Sequence, residues 1–277
     1  MAKFRMNHAR QGKGSGANII RVGVLAALLA GSFLAIVFLN RNQGPAVSND
    51  LVTPADTVDD RTFFLPTGHT GQVIHHRYHS LAFAKNRRQT EWVAYVLTRD
   101  RVLATEAIPV ASDTAKIGFL IPPADLAFSE RGKAEAQMPH NHIPQSADLS
   151  RGLWQELGQQ VRSWARQWKK LYVVAGPVWS TDAEDLGVDP STVSPRAFFK
   201  VILDLAEPDQ KALAFWLPNQ AESLALPAYM VPIDTVEART GLNFFGELMP
   251  LELERQLEAS LQPDRWPLDS DRAGYRN

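Results

Sequence analysis

Two groups of histidines in this 277-residue chain have the types and spacing for acid–base or metal chemistry. His140 and His142 flank Asn141, and His75, His76 and His79 crowd within five residues. Imidazole can accept a proton or bind a metal near neutral pH. On one extended strand, residues 75 and 79 would share a face while 76 points away. That spacing permits a two-histidine site, but no carboxylate lies near in sequence to complete it, so surface or hydrogen-bonded histidines are the default reading. A second pattern is cationic. Arg162, Arg166, Lys169 and Lys170 recur at helical spacing and, with Arg151, form a candidate phosphate-contacting patch. A solvated helix face explains the same residues. The stretch Lys116–Asp125, KIGFLIPPAD, poses the opposite case. Between its charged ends nothing moves a proton, yet a glycine and two prolines shape it as a bent loop.

Composition narrows the classes. The chain is 45% hydrophobic and 21% charged, with seven tryptophans, which describes a folded protein rather than a disordered one. It has no cysteine, which excludes disulfides, thiolate metal sites and a cysteine nucleophile. Net charge is −1, without the basic excess of a typical nucleic-acid binder. The basic surplus sits at the start: Lys3, Arg5, Arg10, Lys13, Arg21 and Arg41 precede any acid. Residues 61–277 carry 23 basic against 26 acidic side chains, a balance of −3.

Val22–Leu39 is an uncharged run of 18 residues. At the helical rise it spans ~27 Å, close to a bilayer's hydrocarbon thickness. Ile19 and Ile20 extend it, and Ser32 is its one clearly polar side chain. The preceding basic residues and the following Asp50, Asp56, Asp59 and Asp60 place the N-terminus in the cytoplasm. The expected organisation is a basic cytoplasmic tail over 1–18, a single transmembrane helix over 19–40, and a linker over 41–60. A folded body follows over 61–261, periplasmic or otherwise extracytoplasmic, and then a flexible tail over 262–277. A cleaved signal peptide is the rival reading, but its apolar core would be shorter and a small-residue cleavage site would follow. Ala27 and Gly31 have spacing that permits helix pairing in the membrane, though nothing fixes an oligomeric state.

Within the body, Gly71–His76 and Glu91–Thr98 read as strands. Ser150 opens a helix whose Leu153, Trp154, Leu157, Val161, Trp164, Ala165 and Trp168 form an apolar stripe. Leu171–Val178 reads as a buried strand stopped by Gly-Pro. Ala197–Leu205 and Lys211–Leu217 read as strands joined by a turn at Glu207-Pro208-Asp209. Asp234–Thr240 and Leu251–Leu261 read as helices. The fold class is α+β with a central, mostly antiparallel sheet.

Seven blocks in order along the body resemble one family: RQTEWVAYVLT (88–98), IPPAD (121–125), NHIPQSADLSRGLWQELGQQVR (141–162), LYVVAGPV (171–178), AFFKVILD (197–204), ALAFWLPN (212–219) and YMVPIDTVEARTGLNFF (229–245). They resemble the DNA/RNA non-specific endonucleases, the ββα-metal nucleases related to endonuclease G. The resemblance implies a ββα-metal nuclease-like fold. It also implies a site at Lys116, Ile117, Phe119, Asn141, Ser150 and Gly158.

That site departs from the family pattern. The family segment looks like Asp-Arg-Gly-His-Leu-Ala-Pro-Ala-Ala-Asp; Gly118, Leu120, Pro122, Ala124 and Asp125 keep it, while Lys116, Ile117 and Phe119 replace the Asp, Arg and His. A phenyl ring has no lone pair, so Phe119 cannot replace a general base worth about 10²–10⁴-fold. In the motif resembling Leu-Asn-Arg-Gly-x-Trp, Ser150 stands for the Asn that holds Mg²⁺, and Gly158 for a nearby Glu. Asn141 matches a family active-site Asn, or else satisfies loop backbone. Arg87 or Arg88 matches a phosphate-facing Arg, or else is a solvated edge charge.

The expectation is therefore a membrane-anchored pseudonuclease acting as a binding or structural module, with no catalytic residue, metal ligand or cofactor. One alternative is a divergent metal-dependent DNA/RNA endonuclease, which would need Mg²⁺. Another is an inactive nucleic-acid binder at the cell envelope that uses Arg87, Arg88, Asn141, Arg151, Arg162, Arg166, Lys169 and Lys170. The partners implied are the membrane through residues 19–40 and either a protein or a nucleic acid.

Overall fold

The computed structural model describes residues 64–269, apart from 86, 106–116, 180–193 and 221–223. The expected tail, transmembrane helix and linker over 1–60, residue Lys116, and residues 270–277 lie outside the described residues. Among the described residues no helix is long and apolar enough to cross a membrane.

Seven antiparallel strands form the central sheet, in the order β1-β2-β3-β6-β7-β8-β9. They are β1 (Gln72–His75), β2 (His79–Ala84), β3 (Gln89–Thr98), β6 (Lys170–Val178), β7 (Ala197–Asp204), β8 (Lys211–Pro218) and β9 (Met230–Val231). Strands β3, β6, β7 and β8 are almost wholly buried because both sheet faces are covered. Side-chain alternation then splits each strand between two cores. Val93, Tyr95, Val173, Ala175, Phe198 and Phe215 face one, while Trp92, Ala94, Val174, Phe199, Val201 and Ala214 face the other.

The first core is covered by helix α5 (Leu153–Trp168), whose apolar stripe is buried as its spacing predicts. Helix α1 (Arg99–Ala104) caps one end of β3, with Thr98 accepting the Arg101 amide. Between α1 and α5 the chain forms β4 (Ile117–Phe119), α2 (Pro123–Leu126), α3 (Glu130–Ala136), β5 (His142–Pro144) and α4 (Ala147–Arg151). Strands β4 and β5 form a separate antiparallel pair. The helix expected to open at Ser150 is two helices, because Gly152 breaks the backbone path at φ −100°, ψ −112°. The second core is covered by α6 (Ile233–Thr240) and α7 (Leu251–Ala259).

Three expectations differ from the structure. Gly176-Pro177 does not stop β6, since Pro177 still pairs with Phe198 of β7 while pairing with β3 ends at Ala175. A proline lacking an amide proton fits where one ladder has already ended. The histidine cluster does not lie on one strand: His75 ends β1 and His79 begins β2, so a tight hairpin separates them. The tail expected to loosen at Gln262 stays docked through Asp269. Trp266 is 1% exposed and packs against Trp164 and Trp168, and the Trp164 indole donates to the Pro267 carbonyl at 2.7 Å. Burial of a single tryptophan outweighs the loosening effect of Pro263 and Pro267.

Candidate functional site

The position where the family resemblance places a general base lies on β4. Phe119 pairs with His142 across the β4–β5 ladder, and their rings sit 4.8 Å apart at 56°. The Phe119 carbonyl accepts the Trp154 indole N–H at 2.7 Å, which fixes β4 against α5. Gly118 is required, because a Cβ there would overlap the Gln145 side chain. Ile117 faces solvent at 60% exposure, so it does not pack into the core. The imidazole of His142 is the titratable group against the Phe119 ring. It is half-buried, and burial lowers its pKa, which favours the neutral form.

The metal position fares no better. The Ser150 hydroxyl turns back and donates to the Ala147 carbonyl of its own helix at 3.2 Å. Gly158 is buried, and a Cβ there would lie 3.2 Å from Pro122 Cγ, tighter than ordinary contact. A side chain at 158 would need Pro122 to give by a few tenths of an ångström. The nearby carboxylate Asp125 is already engaged on both oxygens, by the Tyr95 hydroxyl at 2.7 Å and by Arg162 at 2.8 Å. These residues do not fit Mg²⁺, which wants several unengaged hard oxygens in near-octahedral array.

Polar groups in this region serve the fold. Asn141 is 1% exposed, and its amide closes the loop around Ile121. Oδ1 accepts the Ile121 amide at 2.8 Å, and Nδ2 donates to the Ile121 and Ala136 carbonyls at 2.9 and 2.8 Å. It therefore has no face left for a phosphate. Arg162 likewise turns inward to Asp125 rather than outward. The Tyr95 hydroxyl is raised well above its ordinary range, by burial first and then by Asp125. Beneath Trp154 lies a group that the sequence reading passed over. Lys200 is fully buried on β7, with Nζ 4.3 Å from the Trp154 ring centroid and without a hydrogen-bond partner among the described residues. Burial pushes its pKa down to about 8, while Asp125 acts to raise it and Arg162 to lower it. The visible signal was a lone lysine at an inward position of an otherwise apolar strand, AFFKVILD.

The histidines near β1 gain the carboxylate that the sequence did not show nearby. Glu135, on α3, accepts the Arg77 and Tyr78 amides at 3.1 Å each and Arg131 at 3.0 Å. His79 Nδ1 stands 3.5 Å from the Glu135 Oε2. Burial alone would raise the Glu135 carboxyl, but His79, Arg131 and the two amides outweigh it and hold it at about 2. His76 stacks on His79 at 4.6 Å, and its pKa is lowered by burial first and then by His79. His140 instead lies edge-on to Phe83, and its carbonyl accepts the Thr90 hydroxyl. The arrangement is a packed hairpin clamp.

The cationic patch disperses. Helix α5 ends at Trp168, so Lys169 is the residue beyond it, at φ 73°, and Lys170 belongs to β6 with its amine over the Tyr172 ring. Arg166 and Arg151 remain on helix surfaces, and Arg88 is exposed in the β2–β3 turn beside half-buried Arg87.

Known proteins resemble this arrangement. Residues 118–250 match the signature of the DNA/RNA non-specific endonucleases. The chain is 25% identical over 259 residues to the mitochondrial nuclease EXOG of Xenopus laevis, covering 80% of this chain and 71% of that one. It is 25% identical over 232 residues to the Serratia marcescens nuclease, covering 74% and 86%. With human mitochondrial endonuclease G it shares 28% over 145 residues, 48% of each chain. The fold resembles a chain in the crystal structure of the EndoG/EndoGI complex, with a TM-score of 0.55 over 66% of this chain and 89% of that one at 21% identity. The fold, a mixed α/β body on an antiparallel sheet, is similar to that chain's. Over residues 118–250 the chain is thus similar to the DNA/RNA non-specific endonucleases.

Proposed function

We propose that the body is a pseudonuclease, a nuclease-shaped module that no longer hydrolyses phosphodiesters and works by binding or by structure. One observation carries this reading: the Phe119 ring packs on His142 where the family resemblance requires a proton acceptor. Ser150 bonded into its own helix and the closed space at Gly158 support it from the metal side. Residues 19–40 anchor this module in a membrane, with the N-terminus cytoplasmic and the body extracytoplasmic. The test is cleavage of plasmid DNA and single-stranded RNA by the purified chain with Mg²⁺ or Mn²⁺. The expected result is no cutting above a mock preparation. Protease protection of the body in sealed, right-side-out spheroplasts, stripped of any outer membrane, would overturn the anchored topology.

A divergent nuclease is the second reading. It is favoured by relatives that are named nucleases and by His142, a neutral-leaning imidazole beside the vacated position. Metal-dependent cutting that co-purifies with the chain and is lost in His142→Ala would establish it.

A further inference from the structure

On the face of the sheet opposite Phe119, α6 and α7 bring carboxylates together. Asp234 and Glu237 lie one turn apart on α6, and Glu254 and Glu258 one turn apart on α7. One carboxylate oxygen each from Asp234, Glu237 and Glu258 lies within 4.8 Å of the other two. Acidic residues crowd at many protein surfaces without a ligand, and Asp234 alone would mean nothing. Glu258 is different. It is only 4% exposed, and among the described residues its Oε1 has no hydrogen-bond partner. A bare carboxylate oxygen inside a protein is costly unless something positive meets it. What surrounds it is more negative charge: Glu237, Glu254 and Asp234 all act on Glu258.

We propose that Asp234, Glu237 and Glu258 form a binding site for a hard divalent cation, Ca²⁺ by size, that ties α6 to α7. Carboxylates are the ligands such ions prefer. The three oxygens lie within 4.8 Å of one another, so small side-chain adjustments would bring them into the ~2.4 Å shell of one Ca²⁺. Mg²⁺ demands a shorter, near-octahedral shell, which a set gathered from two helices, with one carboxylate held by the Phe244 amide, meets less readily. Glu237 gives one oxygen to the Phe244 amide at 2.8 Å, which holds the side chain in place and leaves the other oxygen for an ion. Exposed Asp234 provides the entry side. The site is separate from the position around Ser150. Its helices pack on the core of Val236 and Leu257, whereas Leu149 and Leu153 belong to the opposite core. Cation binding here would stabilise the protein without any cleavage.

A proton is the competing way to relieve the crowding, since burial and then the three neighbouring acids push the Glu258 carboxyl up to about 8. The experiment separates the two. The full chain is prepared in chelator, then titrated with Ca²⁺ and with Mg²⁺ by calorimetry, with thermal unfolding in parallel. Expected are one saturable Ca²⁺ site, Ca²⁺ preferred over Mg²⁺, and a melting temperature raised by several degrees at saturation. Glu258→Gln and Asp234→Asn should each weaken Ca²⁺ binding roughly tenfold or more, on the scale of a lost metal ligand or its support. Asp234→Asn is exposed and keeps the fold, so it decides the matter if Glu258→Gln does not fold. Absence of saturable binding overturns the proposal and leaves a protonated acidic cluster. Binding that survives both substitutions unchanged also overturns it.

Discussion

Two sets of positions lie on and near helix α5, and they contrast in how their polar groups are used. Around Phe119, Ser150 and Gly158 the groups that could act on a ligand are absent or turned into the fold. Next to them, Asp125 accepts Tyr95 and Arg162, and the Asn141 amide is taken up by backbone groups of the loop. The contrast separates two kinds of polar residue. Those whose loss would leave buried donors or charges unpaired are held by stability. Those that served only a bound substrate can be replaced by a phenyl ring or a glycine at little cost to folding. On the pseudonuclease reading, a scaffold can remain nuclease-shaped while its reactive positions empty.

The largest effect should come from breaking the retained set. Asp125→Ala leaves the Arg162 guanidinium and Tyr95 hydroxyl without their shared acceptor, which should cost roughly 3–5 kcal/mol in urea unfolding. A cost near zero would show that water replaces the carboxylate. Glu135 should come next, through pH. Its folded carboxyl is held at about 2 against an ordinary 4.5. A depressed acid contributes stability that is fully present above pH 4.5 and is lost as pH falls toward 2. The loss should be about 3 kcal/mol by the linkage relation, and Glu135→Gln should flatten that part of the acid-unfolding curve. Asn141→Ala removes three hydrogen bonds from buried backbone groups and should cost about 2–3 kcal/mol, with the β4–β5 loop becoming the first region to exchange amide protons.

The emptied set should respond least. Phe119→His should change stability by less than about 1 kcal/mol, because the position is half-buried and imidazole is similar in size. It should not restore cleavage on its own, since no metal ligands accompany it. Cutting by Phe119→His with Mg²⁺ would mean that an oxygen-rich metal site forms beside Ser150 after all.

Much of this was legible before any coordinates. The helical stripe from Leu153 to Trp164 and the apolar runs at 171–178 and 197–204 dictate a helix on a buried sheet. What eluded periodicity were short elements such as β2 and α3. The histidine run 75–79 looked like one strand because no glycine or asparagine marks its turn. The turn is held instead by Glu135, nearly sixty residues away, accepting the Arg77 and Tyr78 amides. The basic residues from Arg162 to Lys170 looked like one face because spacing cannot show that the helix stops at Trp168 or that Asp125 draws Arg162 inward.

The order of residues alone determined which reactive groups exist: no histidine at 119, no asparagine at 150, no glutamate at 158. Chemistry that needs a lone pair or a carbonyl oxygen is settled by residue type, whatever the fold. Only the tertiary structure decided which remaining polar groups are available. Asn141 and Arg162 are consumed by partners distant in sequence, while Glu258 is buried with an oxygen left bare. Availability depends on burial and on which donors meet which acceptors, and those are set by packing between segments far apart along the chain.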